Sequence, residues 1–172
     1  MNSTQKLIPS LWFDMETEEA VDFYISVFNG SLHKSGDSRI ISITRYESGM
    51  DVPGADSMVG KILTAIFELN GQRFMALDGG PVFKFNEAIS FYVECEDQAE
   101  VDYFWKRLSA GPESEQCGWL KDKFGLSWQI IPKQMGQLLT APNRKKAFAA
   151  TNAMLKMKRI VIADLQKAYD DA

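Results

Sequence analysis

Histidine and cysteine are the scarcest chemical resources of this 172-residue chain, which holds one His and two Cys. A single histidine, His33, leaves no Ser-His-Asp set to assemble. It follows the first predicted helix and reads as a surface residue rather than a metal ligand. Cys95 and Cys117 are too few for a disulfide framework and fit neither a CxxC nor a zinc spacing. Their state points to a reduced, cytoplasmic protein. No apolar run approaches the roughly 18 residues of a membrane span, and the opening MNSTQKLIPS lacks the apolar stretch of a secretory leader. Basic charge is also short: a net charge of −4 argues against nucleic acid as a partner.

Aromatic side chains, in contrast, are plentiful, with eleven Phe, four Trp and five Tyr. That is more ring area than a small core needs and fits an aromatic-lined cavity or interface. The chain also repeats itself. Val21, Tyr24, Ile25 and Phe28 fall at i, i+3, i+4, i+7, one face of a helix. Val101, Phe104, Trp105 and Leu108 repeat that spacing at a constant offset of 80, together with the pairs Glu16/Glu96 and Asp22/Asp102. Asp22 and Asp102 lie off the apolar face and are predicted to point to solvent. Asp97 three residues before Glu100 predicts a capping box on the second helix.

Strand-like runs flank both helices: Leu7 to Phe13, Arg39 to Tyr46, Lys61 to Leu69 and Gln72 to Leu77 around the first. Asn70-Gly71 predicts a tight hairpin between the last two. Around the second helix run Ile89 to Cys95, a short strand near Glu115 to Leu120, and Leu126 to Ile131. The expected fold class is α+β: two β-α-β-β-β modules forming curled, mostly antiparallel sheets around a cleft, plus a helical C-terminal tail. The divisions are 1–81, 82–133 and 134–172, packed as one compact unit. In the tail, helices are expected from Met135 to Leu139, Arg144 to Lys158 and Ala163 to Tyr169. Its basic residues Arg144, Lys145, Lys146, Lys156, Lys158 and Arg159 read as a solvated face. The long stretch Glu47 to Gly60 is either a lid or an ornament.

Paired modules of this kind resemble the vicinal oxygen chelate superfamily of glyoxalase I, bleomycin-resistance proteins and extradiol dioxygenases. The runs LWFDMETEEAVDFYISVF, FELNGQRFMALDGGPVFKFNEAISFYVECEDQAEVDYFWKRL and CGWLKDKFGLSWQIIP narrow the likeness to the PhnB-like branch. Its domain family carries a demethylubiquinone 3-methyltransferase label. The tail AFAATNAMLKMKRIVIADLQKAY resembles that branch as well. Where many members have His, this chain has Val82. Methyl transfer is not expected: no GxGxxG turn occurs, and the strands come in runs without crossover helices.

Metal-dependent members of that superfamily draw ligands from the first and last strands of each module. The corresponding positions here are Pro9, Met75, Ala88 and Gln129, with Glu87 the one carboxylate nearby. Such a set offers almost no hard donor, so neither metal nor cofactor is expected. The resemblance then implies a metal-independent small-molecule-binding protein or, alternatively, a glyoxalase-superfamily enzyme acting on a small organic substrate. Ligand-binding candidates are Phe13, Phe74, Phe91 and Trp119 as walls, with Asn86, Glu87, Gln129 and Cys117 as polar groups. Trp12 and Trp128 are further wall candidates. For every ring the competing role is plain core packing; for Cys117 it is that of a small buried hydrophobe. Asp78 before Gly79-Gly80 reads as a turn former rather than a base. The expected partners are an unidentified small molecule and a second copy of the chain, the homodimer using the apolar faces of the repeated helices and the Met-bearing tail.

Overall fold

A computed structural model describes residues 5–172 and resolves them into two units, one ending at Lys84, the other spanning Phe85–Ala172. In the first unit the order is β1 (Ser10–Phe13), α1 (Thr17–Asn29), β2 (Arg39–Arg45), α2 (Ala55–Met58), β3 (Ile62–Leu69) and β4 (Gln72–Asp78). The strands lie in the order β1-β4-β3-β2, with β1 parallel to β4 and the other pairs antiparallel. Asn70 and Gly71 both take positive φ, +48° and +79°, and close the β3–β4 hairpin between Leu69 and Gln72. Helix α1 packs on β3 and β4. It buries Ala20, Val21, Tyr24, Val27 and Phe28 against the alternate strand residues Leu11, Phe13, Ala65, Phe67, Phe74 and Ala76. The other face of the sheet carries the rows Trp12–Leu77–Thr64 and Ser10–Met75–Ile66.

The register slips twice along β2 and β3. One slip leaves Leu63 without a partner between Thr44↔Thr64 and Arg45↔Ile62, two residues facing one. That bulge lets Ile62 enter the core, 2% exposed, while Leu63 turns to the open side. Strand β2 forms the sheet edge and is exposed along its whole length, with Ile40, Ile41 and Ile43 among its side chains.

The second unit contains β5 (Phe91–Cys95), α3 (Gln98–Leu108), a 3-10 turn (Pro112–Ser114), β6 (Trp119–Lys121), β7 (Ser127–Pro132), α4 (Lys133–Leu139), α5 (Arg144–Met154) and α6 (Ile162–Asp170). Its sheet has three strands, β5-β7-β6, with β5 parallel and β6 antiparallel to β7. Both sheets are thus mixed in an α+β fold, and among the described residues neither closes into a barrel. The second module is one strand short of the expected β-α-β-β-β order. The run from Ser109 to Gly118 makes a 3-10 turn and a single bridge, Gln116↔Trp119, where the first unit has β2.

Helix α3 is capped as its sequence predicts. Asp97 accepts from the Glu100 amide at 2.9 Å, and Glu100 reaches back to the Glu96 amide at 2.8 Å. Its buried residues Val101, Phe104 and Leu108 pack over β7. The tail helices lie in this unit and gather Leu138, Ala150, Ile160 and Leu165 around Ile131. Helix α5 ends at Met154, short of the expected Lys158. The chain beyond it forms backbone hydrogen bonds instead: Cys117 N donates to Met157 O and Gly118 N to Lys158 O, each at 2.8 Å. Most of the basic residues are engaged locally, Lys145 on Ala172 O, Lys146 on Asp170 O, Lys158 on Pro112 O and Arg159 on Asp102. Among the described residues no helix is long and apolar enough to cross a membrane.

The repeated helix faces are buried inside their own units, Val21 and Val101 both at 0% exposure. Ile25 and Trp105 of the same faces are half-buried, so these helices offer little apolar surface for a dimer.

Candidate functional site

The first unit holds a cavity of about 530 Å³ on the open side of its sheet. Trp12, Leu63 and Leu77 form its floor, the segment from Val52 to Met58 one wall, and the turn Asp78 to Pro81 another. Each wall has a local cause. Trp12 alternates with Leu11 and Phe13 and so faces away from α1. Its indole N–H donates to Gly80 O at 2.8 Å, and Phe83 meets its ring edge-on at 5.0 Å. Gly79 lies flat against the ring; a Cβ there would collide with it. Within the long 47–60 segment, Tyr46 N donates to Lys61 O and Gly60 N to Tyr46 O, both at 2.9 Å, which pinches the base of the loop. Helix α2 gives its far end shape, so the segment that sequence length marks as lid or ornament is a wall.

Asp78 links the cavity to the core. It is 3% exposed, the last residue of β4 on the helix-covered side, and its Oδ1 accepts from Thr17 N at 3.1 Å and Thr17 Oγ1 at 2.8 Å. It thereby caps α1, whose own N-cap residue Glu16 makes no side-chain cap. Burial raises the Asp78 carboxyl above the usual carboxylate range, against the lowering effect of the Thr17 and Glu16 hydrogen bonds and the charge of Lys61. Tyr46 is buried, its hydroxyl donates to Asp78 O at 2.7 Å, and burial raises its phenol as well.

Few of the residues expected from sequence stand at this cavity. Phe13 and Phe74 are core rings, 2% and 7% exposed, with Phe74 stacked on Phe67 at 5.5 Å. Their reading as ligand walls is corrected: strand alternation turns them to α1. Phe91 packs on Trp128 at 5.6 Å, on the side of β7 that α3 covers. Trp119 and Gln129 do come together, paired across β6 and β7, with Tyr92 next in the row on the opposite side. Gln129 Nε2 donates to Ser90 Oγ at 2.8 Å. Asn86 closes a short turn by accepting from Ala88 N at 3.0 Å. Glu87 forms an ion pair with Lys121, and this partner holds its carboxyl below the usual range. Cys117 takes φ +52° in the turn that meets Met157. The other thiol, Cys95, is fully buried, and burial pushes it far above the ordinary thiol range.

The superfamily's metal positions carry the wrong donors. Met75 lies opposite Ser10, and its amide donates to Pro9 O at 2.9 Å. Gln129 is opposite Tyr92, so Ala88 lies before the strand. Ladder partners Ser10 and Tyr92 are 82 apart while the helix faces are 80 apart, because the strand-to-helix connection is shorter in the second unit. A thioether and a primary amide do not fit a hard divalent ion, and the nearby Glu87 is already paired. Among the described residues no three His, Cys, Asp or Glu side chains converge as a metal set.

Comparison with known proteins agrees with this architecture. Residues 5–131 match the family model described as 3-demethylubiquinone-9 3-methyltransferase. The PhnB protein of Bacillus cereus is 36% identical with a TM-score of 0.58, over 74% of this chain and 99% of that one. A Pseudomonas aeruginosa protein shares the fold at 18% identity and TM-score 0.55, over 75% and 98%. A lactoylglutathione lyase from Agrobacterium tumefaciens aligns at 15% identity and TM-score 0.39, over 78% and 98%. Comparison with curated proteins gives no match. The family match stops at residue 131, so it does not carry the expected likeness of the tail.

Proposed function

From a chain that belongs to the 3-demethylubiquinone-9 3-methyltransferase-like (PhnB) family of the vicinal oxygen chelate superfamily, we infer a metal-independent protein that binds a small organic molecule. The observation that carries this reading is the cavity of the first unit. Its volume of about 530 Å³ lies within the usual range for small-molecule sites, roughly 300–1,000 Å³. Its walls are mainly Trp, Leu, Met, Val and Pro, with few polar groups. Met15 in the lining holds φ +63°, a conformation that costs a non-glycine residue energy and concentrates at ligand sites. Methyl transfer, the activity in the family's name, finds no support: the sheets lack the alternating β-α-β series that seats a nucleotide.

The test is a fragment screen by ligand-observed NMR on the intact chain and on Gly79→Ala. The added methyl displaces the Trp12 ring from the cavity floor, and hits should lose tenfold or more in affinity. Hits that bind the variant equally well would place the site elsewhere. Stoichiometric zinc, nickel, manganese or iron in the purified protein would overturn metal independence, and catalytic consumption of a hit would favour the enzyme alternative. We further propose that the chain is a homodimer, with the exposed β2 edge and its Ile40, Ile41 and Ile43 as the apolar surface. Light scattering at micromolar concentration should return twice the chain mass; the monomer mass refutes it.

A further inference from the structure

We propose that the ligand of this cavity is an organic cation, an amine protonated at neutral pH and attached to an apolar or aromatic body. This rests on the reading of the cavity as a binding site and adds the chemical class. Three side chains in the lining can donate a hydrogen bond, and each is engaged by a backbone carbonyl. Trp12 donates to Gly80 O at 2.8 Å, Tyr46 to Asp78 O at 2.7 Å and Ser57 to Gly54 O at 2.7 Å. No Lys, Arg or His belongs to the lining among the described residues.

An anionic ligand would therefore lose its hydration and find no charged partner and no free side-chain donor. Acceptors remain. Asp14 belongs to the lining and is exposed at the cavity rim, while the Asp78 carboxylate is turned to the helix-covered side of the sheet. Oδ1 of Asp78 already takes two bonds from Thr17, so Asp14 is the group that meets the ammonium and Asp78 adds to the field. Lys61, whose charge reaches Asp78, stands outside the lining. The rest of the surface suits the remainder of such a molecule: Trp12, Leu63 and Leu77 supply apolar area, and Met15 and Met58 supply soft, adaptable thioethers.

Three probes that share a phenylethyl-sized body test the inference by NMR titration of the intact protein: 2-phenylethylammonium, neutral 2-phenylethanol and anionic phenylacetate. The cation should bind at least tenfold more tightly than the alcohol, with phenylacetate weakest. Asp14→Asn, at an exposed position, should bring the ratio of the cation and alcohol affinities close to one. Equal affinity for cation and alcohol, or tighter binding of phenylacetate, would overturn the cationic assignment while the small-molecule reading stands. Failure of all three probes to bind would count against both. A preference that survives Asp14→Asn would sink the role given to Asp14.

Discussion

In the first unit the 47–60 segment stands beside the open side of a four-stranded sheet; in the second, three helices stand beside a three-stranded one. Both units begin from a strand, a helix over one face and an antiparallel strand pair, with the first strand parallel to the last. They then diverge in what covers the other face. Around Trp12 and Leu77 the covering arches over and leaves a cavity of about 530 Å³. Around Ile131 it is dense: Leu138, Ile160 and Leu165 pack directly on it. Gly118 marks how close that packing is, since a Cβ there would collide with Ile131. A duplicated framework thus supports a hollow in one copy and an apolar core in the other. The hollow is where the proposed ligand would sit, and the filled side is an apolar core.

The largest effect that would break this comparison is expected at Leu165. Replacing this fully buried side chain with Ala leaves a void in the tail core, which costs roughly 2–5 kcal/mol. Hydrogen exchange should show the loss in amides of the second unit such as Ile131 and Ile160, while Phe67 and Ala76 keep their protection. Equal loss in both units would show that the tail supports more than the face it covers.

How far the sequence discloses this arrangement depends on the range of the interaction involved. Local signals carry through: the helix periodicities, the Asn70-Gly71 turn and the Asp97–Glu100 cap are each set within a few residues. The inward or outward sense of β1 is not legible, because Leu11, Trp12 and Phe13 are all apolar and no alternation separates them. Hence Phe13 reads as a wall when Trp12 is one. The bulge at Leu63 depends on the pairing of two strands and leaves no mark in composition. The role of Asp78 is equally hidden, since its partner Thr17 lies 61 residues away. The Gly-rich 47–60 stretch declares its length, but only the structure shows it beside Trp12.

The two helix caps sharpen the comparison at a smaller scale. Helix α3 is capped from within by Asp97, helix α1 from across the unit by Asp78. Asp78→Ala leaves Thr17, itself fully buried, without its acceptor, and should cost about 2 kcal/mol. Asp97→Ala, at a helix end nearer solvent, should cost about 1 kcal/mol. Urea denaturation of both variants checks the order; a reversed order would mean that the cross-unit cap is dispensable.

The smallest effect is also the most specific. Burial raises the folded Asp78 carboxyl above its ordinary value of 3.8, so the folded state keeps that proton to higher pH than the unfolded chain does. Between the two values the folded state binds more protons, and stability contributed by this group falls as pH rises through that window. Asp78→Asn retains an oxygen for Thr17 and removes the ionisation. At pH 7 it should keep most of the stability that Asp78→Ala loses, because Thr17 retains an acceptor. Its decline as pH rises above about 3.8 should be flatter. If the slope is the same in Asp78→Asn as in the parent, the proton lies on another group, and the carboxylate beneath α1 is ionised throughout that range.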